Sequence, residues 1–174
     1  RENAKDYNGE PDCIAVFGTS AGGHLAALLG TSGGVEELEG GVGETGVSSD
    51  VQAVCDWFGP SNLATVHANL PNERNPVVDL LGAPVGEARE LALLASPITH
   101  VDSGDPPFLI IHGTDDPTVP AEQSRVFYEA LKKAGVTVKY IEVPGGKHGG
   151  FHDTDPSQRE LVSEMIGFFD EHLK

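Results

Sequence analysis

Short apolar runs closed by turn-forming residues punctuate the chain. Residues 14–18, Ile-Ala-Val-Phe-Gly, form the first. Residues 51–58 form the second, stopped by Gly59-Pro60, and residues 107–113 form the third and clearest. Residues 136–143 form a fourth strand. Continuous apolar runs of this length predict strands covered on both faces, the habit of parallel sheets. Between them the period becomes helical. Residues 21–29 contain His24-Leu25-Ala26-Ala27-Leu28-Leu29, a strongly helix-forming stretch that Gly30 is expected to end. Residues 121–134 place Val126, Phe127, Ala130 and Leu131 at helical spacing, with Gly135 as the cap. Residues 157–173 read as a terminal amphipathic helix with Leu161, Met165, Phe168 and Phe169 on one side. Residues 1–7 read as the tail of a helix stopped by Asn8-Gly9. Residues 31–50 are Gly-rich and acidic, a loop with one short helical turn. Residues 60–100 are mixed, with helical pieces over 63–69 and 87–95, and read as an insertion over the sheet edge. Strands alternating with helices predict one α/β layered domain.

Composition narrows the function classes. The chain has 174 residues, with Lys+Arg 11 against Asp+Glu 27 and a formal net charge of −16. No basic residue lies between Lys5 and Arg74, so no stripe exists there to neutralise phosphates. A nucleic-acid or anionic-membrane partner is not expected. Cys13 and Cys55 are the only cysteines, which excludes a disulfide scaffold and any CxxC site. Cys55 lies in an apolar run and reads as a buried free thiol. No apolar stretch is long enough to span a membrane. The chain opens on Arg1 without an initiating Met, so the natural start is expected to lie upstream, and nothing selects a compartment.

One constellation carries chemistry. Gly18-Thr19-Ser20-Ala21-Gly22 is G-x-S-x-G, placed after a predicted strand and before a predicted helix. That context is what the motif requires, since a very tight turn can then lift Ser20 Oγ above the sheet. The helix start also aims backbone N–H groups at developing negative charge. Neither G-x-G-x-x-G nor G-x-x-x-x-G-K-[ST] is present. A serine nucleophile needs a base and an acid that orients it. Asp115 and Asp116 follow the third strand and His148 follows the fourth, so candidates sit at strand C-terminal ends, where open α/β sheets build their sites. Two adjacent carboxylates cannot both face His148. His24, on an Ala/Leu-rich helix, and His112, at a strand end, read as packed structural residues. His152 with Asp153 and Asp155 lacks metal-ligand spacing, so no metal is expected. Trp57 leaves a strand near the active edge and is a candidate wall of the substrate pocket, with core packing the alternative.

With these motifs the chain resembles an α/β-hydrolase of the esterase/lipase type. Within that superfamily, Asp56-Trp57-Phe58-Gly59-Pro60 and Ala95-Ser96-Pro97-Ile98-Thr99 are similar to bacterial and metagenomic acetylxylan and feruloyl esterases. The resemblance implies a three-layer α/β/α fold with a mostly parallel sheet. The family pattern H-G-x-x-D-x-x-V-P puts the acid on Asp116, and G-x-x-H-G puts the base on His148. It also implies Ser20 as nucleophile, the Ala21 N–H as one oxyanion donor, no cofactor, and a small-molecule or polysaccharide ester as substrate. The implied activity is hydrolysis of acetyl or feruloyl esters of plant polysaccharide, or of small esters. A serine peptidase of the same superfamily and a catalytically inactive hydrolase-like module are the alternatives.

The resemblance breaks upstream. The family sheet has strands before its nucleophile strand, whereas Ser20 follows the first strand here. No H-G-G-type oxyanion loop precedes Ser20. Residues 1–174 are therefore expected to be part of a catalytic domain, weakly active alone. An N-terminal segment or a second chain is expected to cover the free side of the Ser20 strand.

Overall fold

The computed structural model describes residues 1–42, 46–66 and 75–174. Four strands, β1 (Ala15–Thr19), β2 (Ala53–Trp57), β3 (Phe108–Gly113) and β4 (Val138–Val143), form one parallel sheet in the order β1-β2-β3-β4. Helix α1 (Ala21–Thr31) follows β1, and a short α2 (Glu36–Glu39) lies in the acidic loop. The β2–β3 connection carries α3 (Pro76–Leu81), α4 (Arg89–Leu94) and α5 (Pro97–His100). Helix α6 (Glu122–Ala134) joins β3 to β4, and α7 (Gln158–His172) closes the chain. The parallel α/β sheet and its helix layers are those expected of an α/β-hydrolase.

Side-chain alternation divides the core. Ala53, Cys55 and Trp57 of β2 join Leu109 and Ile111 of β3 beneath Leu161 and Phe168 of α7. Val54, Phe108 and Ile110 face Ala26 and Ala27 of α1 and Phe127 and Leu131 of α6. A sheet whose strands run in sequence order has its right-handed crossovers on one face. Helices α1 and α6 share that face, and α7 covers the other. The inner strands β2 and β3 are buried throughout. Among the described residues, strand β1 is an edge of the sheet, with β2 as its neighbour and Phe17 45% exposed.

Several boundaries differ from expectation. The N-terminal segment is a short 3-10 turn, Ala4–Tyr7. Helices α3 and α5 were not legible as helices, and both begin with Pro at their first positions. Of the helical piece expected over 63–69, residues 63–66 form a turn and the remainder lies outside the described residues. Gly135 does cap α6, at φ 88. Gly30 does not end α1, which runs on to Thr31. Its role is spacing rather than termination. A Cβ there would stand 2.5 Å from Val54 Cγ2 and 2.8 Å from Phe108 Cζ, and both side chains are wholly buried.

Gly30→Ala therefore sets two effects against each other. Ala gains about 1 kcal/mol of helix propensity over Gly. Forcing a methyl into a full core costs about 1–3 kcal/mol. We expect net destabilisation, read as a lower urea midpoint with an unchanged slope. An unchanged or raised midpoint contradicts it.

Candidate functional site

Ser20 occupies the turn between β1 and α1 with φ 54 and ψ −122. A non-Gly residue with positive φ is strained, at about 1–3 kcal/mol. The turn is held by its backbone: Ser20 N–H donates to the Trp57 carbonyl at 2.9 Å, and His24 N–H donates to the Ser20 carbonyl at 3.0 Å. A serine at a helix start commonly turns its hydroxyl back as a cap. Here Ser20 makes no such bond, and Oγ lies 2.8 Å from His148 Nε2. Close approach makes the turn possible. A Cβ on Gly18 would collide with the Gly22 carbonyl, and one on Gly23 would collide with Asp56 Oδ1. Gly22 itself has open space, so the tight contact falls on Gly18 and Gly23 rather than on both glycines of the motif.

The other two candidates stand on interlocked loops. Beyond β3, Thr114 N–H donates to the Val143 carbonyl at 3.0 Å, and Asp115 N–H donates to the Gly146 carbonyl at 2.9 Å. Gly145 N–H donates to Thr114 Oγ1 at 2.8 Å. A Cβ on Gly113 would collide with the Gly146 carbonyl. The loop after β3 is thus zipped to the loop after β4. This brings Asp116 Oδ2 to 2.7 Å from His148 Nδ1. Asp116 Oδ1 accepts N–H bonds from Thr118 at 2.8 Å and Val119 at 2.9 Å. Asp115 points elsewhere, is exposed, and accepts from the Thr114 hydroxyl. Ser20, His148 and Asp116 therefore form one hydrogen-bonded chain at the C-terminal ends of β1, β4 and β3. Such a chain can move the serine proton to the imidazole while the carboxylate faces the resulting cation.

Beside Ser20 opens a cavity of about 370 Å³. Ala21 borders it, and Leu25, Leu63, Val66, Val77, Leu80 and Val119 supply its apolar walls among the described residues. Ala21 is the first residue of α1, and the N–H groups of a first helical turn have no intrahelical acceptor. Trp57 is not a wall of this cavity. The alternation that turns Val54 and Asp56 toward α1 turns Trp57 toward α7, where it is buried edge-on to Phe17 at 5.6 Å and 5.7 Å from Phe151. His24 borders the cavity but is buried, with Nε2 2.7 Å from the Ala95 carbonyl. That carbonyl can only accept, so Nε2 carries the proton. Burial holds His24 below the usual histidine range, opposed in part by this bond. Cys55 is buried, and burial raises its thiol.

Two contributors escaped sequence reasoning. Phe58, at φ 46, packs its ring edge-on to His148 with centroids 4.9 Å apart. Asp56 is buried behind the Ser20 turn, with Oδ1 accepting the Gly59 N–H at 2.9 Å. Both lie in Asp56-Trp57-Phe58-Gly59-Pro60, and the acid in an apolar strand was the available signal. Burial pushes Asp56 up to about 7, opposed by the Gly59 bond. The folded protein then holds this proton up to about pH 7, whereas the unfolded chain releases it near 3.8. The Asp56 contribution to stability accordingly falls as pH rises between those values. Asp56→Asn keeps the acceptor oxygen and removes the titration. Its stability relative to the unsubstituted protein should improve between pH 5 and pH 8 in urea unfolding, and a pH-independent difference contradicts this.

The BD-FAE family profile matches residues 1–131. Esterase LipQ of Mycobacterium tuberculosis is 37% identical over 97% of this chain, which spans 40% of that protein. A truncated carbohydrate esterase from gut microbiota superposes with a TM-score of 0.87 at 36% identity, covering 98% of this chain and 63% of that one. An acetyl ester-xyloside bifunctional hydrolase from Caldicellulosiruptor lactoaceticus superposes at 0.76 and 30% identity, covering 98% and 60%. The chain thus spans less than two thirds of the proteins it matches. Its four-stranded parallel sheet, its strand–serine–helix turn and the extent of the profile match agree: the chain belongs to the BD-FAE family of α/β-hydrolase proteins.

Proposed function

We propose that the protein hydrolyses carboxylic esters with Ser20 as nucleophile. The observation that carries this is the continuous chain from Ser20 Oγ through His148 to Asp116, with both links under 3 Å. The cavity open at Ser20 and the esterase relatives support it. An inactive module would be expected to have a sealed pocket or a displaced histidine, and neither is present.

Ser20 Oγ attacks the ester carbonyl carbon while His148 Nε2 takes its proton. The carbonyl oxygen becomes an oxyanion facing the Ala21 N–H. The bond to the alcohol oxygen then breaks, and that oxygen takes the proton from His148. Water adds to the resulting acyl-serine, giving a proton to His148. Collapse frees the acid and returns the proton to Ser20 Oγ. Asp116 keeps the Nδ1 proton in place and stabilises the imidazolium of both steps. The leaving oxygen must collect its proton from His148. The apolar cavity bordered by Ser20 and Ala21 is read as the acyl site. Its volume suits an acetyl, feruloyl or other small acyl group. The similar carbohydrate esterase and acetyl ester-xyloside hydrolase support a carbohydrate as the alcohol, and we infer a plant polysaccharide.

A fluorophosphonate probe should label Ser20, read by peptide mass spectrometry, and Ser20→Ala should abolish both labelling and ester turnover. Labelling that persists in Ser20→Ala moves the nucleophile elsewhere. Asp116→Asn should lower kcat by about 10⁴ by disturbing the imidazole tautomer, while Asp115→Asn should stay within about threefold of the unsubstituted rate, since the Asp115 carboxylate accepts from Thr114 and it is Asp116 that pairs with His148. Equal losses in the two variants count against the assignment.

A further inference from the structure

The hydrolytic steps leave the buried imidazole beside Asp116 unused. His112, at the end of β3, has no exposed side-chain surface. Its Nε2 lies 2.9 Å from the Val119 carbonyl and 3.4 Å from Asp116 Oδ2. Its Nδ1 lies 2.6 Å from Ser124 Oγ on α6. The protons can be assigned from these partners. The Val119 carbonyl and the Asp116 carboxylate only accept, so Nε2 carries a proton. Burial lowers the His112 pKa, against the raising effect of the Val119 and Asp116 contacts, which leaves the ring neutral. Nδ1 is then the acceptor, and the Ser124 hydroxyl donates to it.

The surroundings of Asp116 give this tautomer a purpose. Its buried carboxylate offers about four lone-pair positions. Thr118 and Val119 N–H groups occupy Oδ1, and His148 Nδ1 occupies one position on Oδ2. The His112 Nε2–H faces the same Oδ2 and also grips the carbonyl of Val119, whose own N–H holds Oδ1. Phe58 packs edge-on to both imidazoles, with centroids 4.9 Å from His148 and 6.3 Å from His112. A neutral donor can orient the carboxylate without cancelling the charge that the His148 imidazolium needs.

We propose that His112, held in its Nε2–H tautomer by the Val119 carbonyl, is a positioning residue that fixes the Asp116 carboxylate and the 116–119 turn for His148. The inference rests on the Ser20 hydrolase reading.

The test compares three replacements in the intact protein, with folded fraction measured by circular dichroism. His112→Gln can place an amide N–H where Nε2–H stood, whereas His112→Asn and His112→Phe cannot. His112→Phe and His112→Asn should lower kcat by roughly tenfold to a hundredfold with KM nearly unchanged. His112→Gln should recover most of that loss. Long-range ¹H–¹⁵N NMR at pH 7 should show His112 neutral and protonated at Nε2. Equal kcat across the three replacements, losses that only follow the folded fraction, or a doubly protonated or Nδ1–H ring overturns the proposal. Ester turnover that survives Ser20→Ala would instead identify a failure of the hydrolase reading, and the inference would fall with it.

Discussion

The site depends on backbones that stand closer together than any Cβ permits. Gly18 and Gly23 let the end of β1, the start of α1 and the turn after β2 meet around Ser20. Without that contact the strained Ser20 conformation would relax, because its cost is a sizeable fraction of a small domain's stability. The same device recurs on the far side, where Gly113 and Gly146 cross. One glycine crossing presents the serine, and the other brings the acid and base loops into register. The helices cover the sheet, but these two crossings set the distances among the three side chains.

Around those crossings, burial makes polar pairing strict. A buried carboxylate without partners would cost several kcal/mol. Asp116 meets this with backbone donors on one oxygen and imidazole on the other. Asp56, also buried, takes the Gly59 N–H and tolerates its position by keeping its own proton up to about pH 7. Two aspartates in one fold thus differ by what surrounds them. One is built to stay beside a histidine, and the other braces a turn.

Much of this was legible from local pattern. The strands, α1, α6 and α7 declare themselves because burial on both faces or on one helical face leaves a regular hydrophobic trace. Ser20, Asp116 and His148 are marked by loops that must follow strands. Three features carry no such trace. Gly30 looks like a helix stop, yet its identity reflects Phe108, which is remote in sequence. Trp57 looks equally suited to a pocket or to the core until the register of β2 against β3 assigns it a face. His112 is an ordinary strand-end histidine until tertiary packing places Ser124 and Asp116 on opposite sides of its ring. Helices α3 and α5 are too short for a period to show.

The sequential order β1-β2-β3-β4 bears on the timing of assembly. Each strand docks on the one made just before it, so the sheet can grow by accretion in the order of synthesis. Ser20 and the cavity walls before β3 can be in place early, and Asp116 and the Val119 wall join after β3. His148 belongs to a loop anchored only when β4 docks, and α7 must still follow to bury Trp57 and Phe151 beneath it. A nascent chain would thus carry its serine unarmed until β4 has docked.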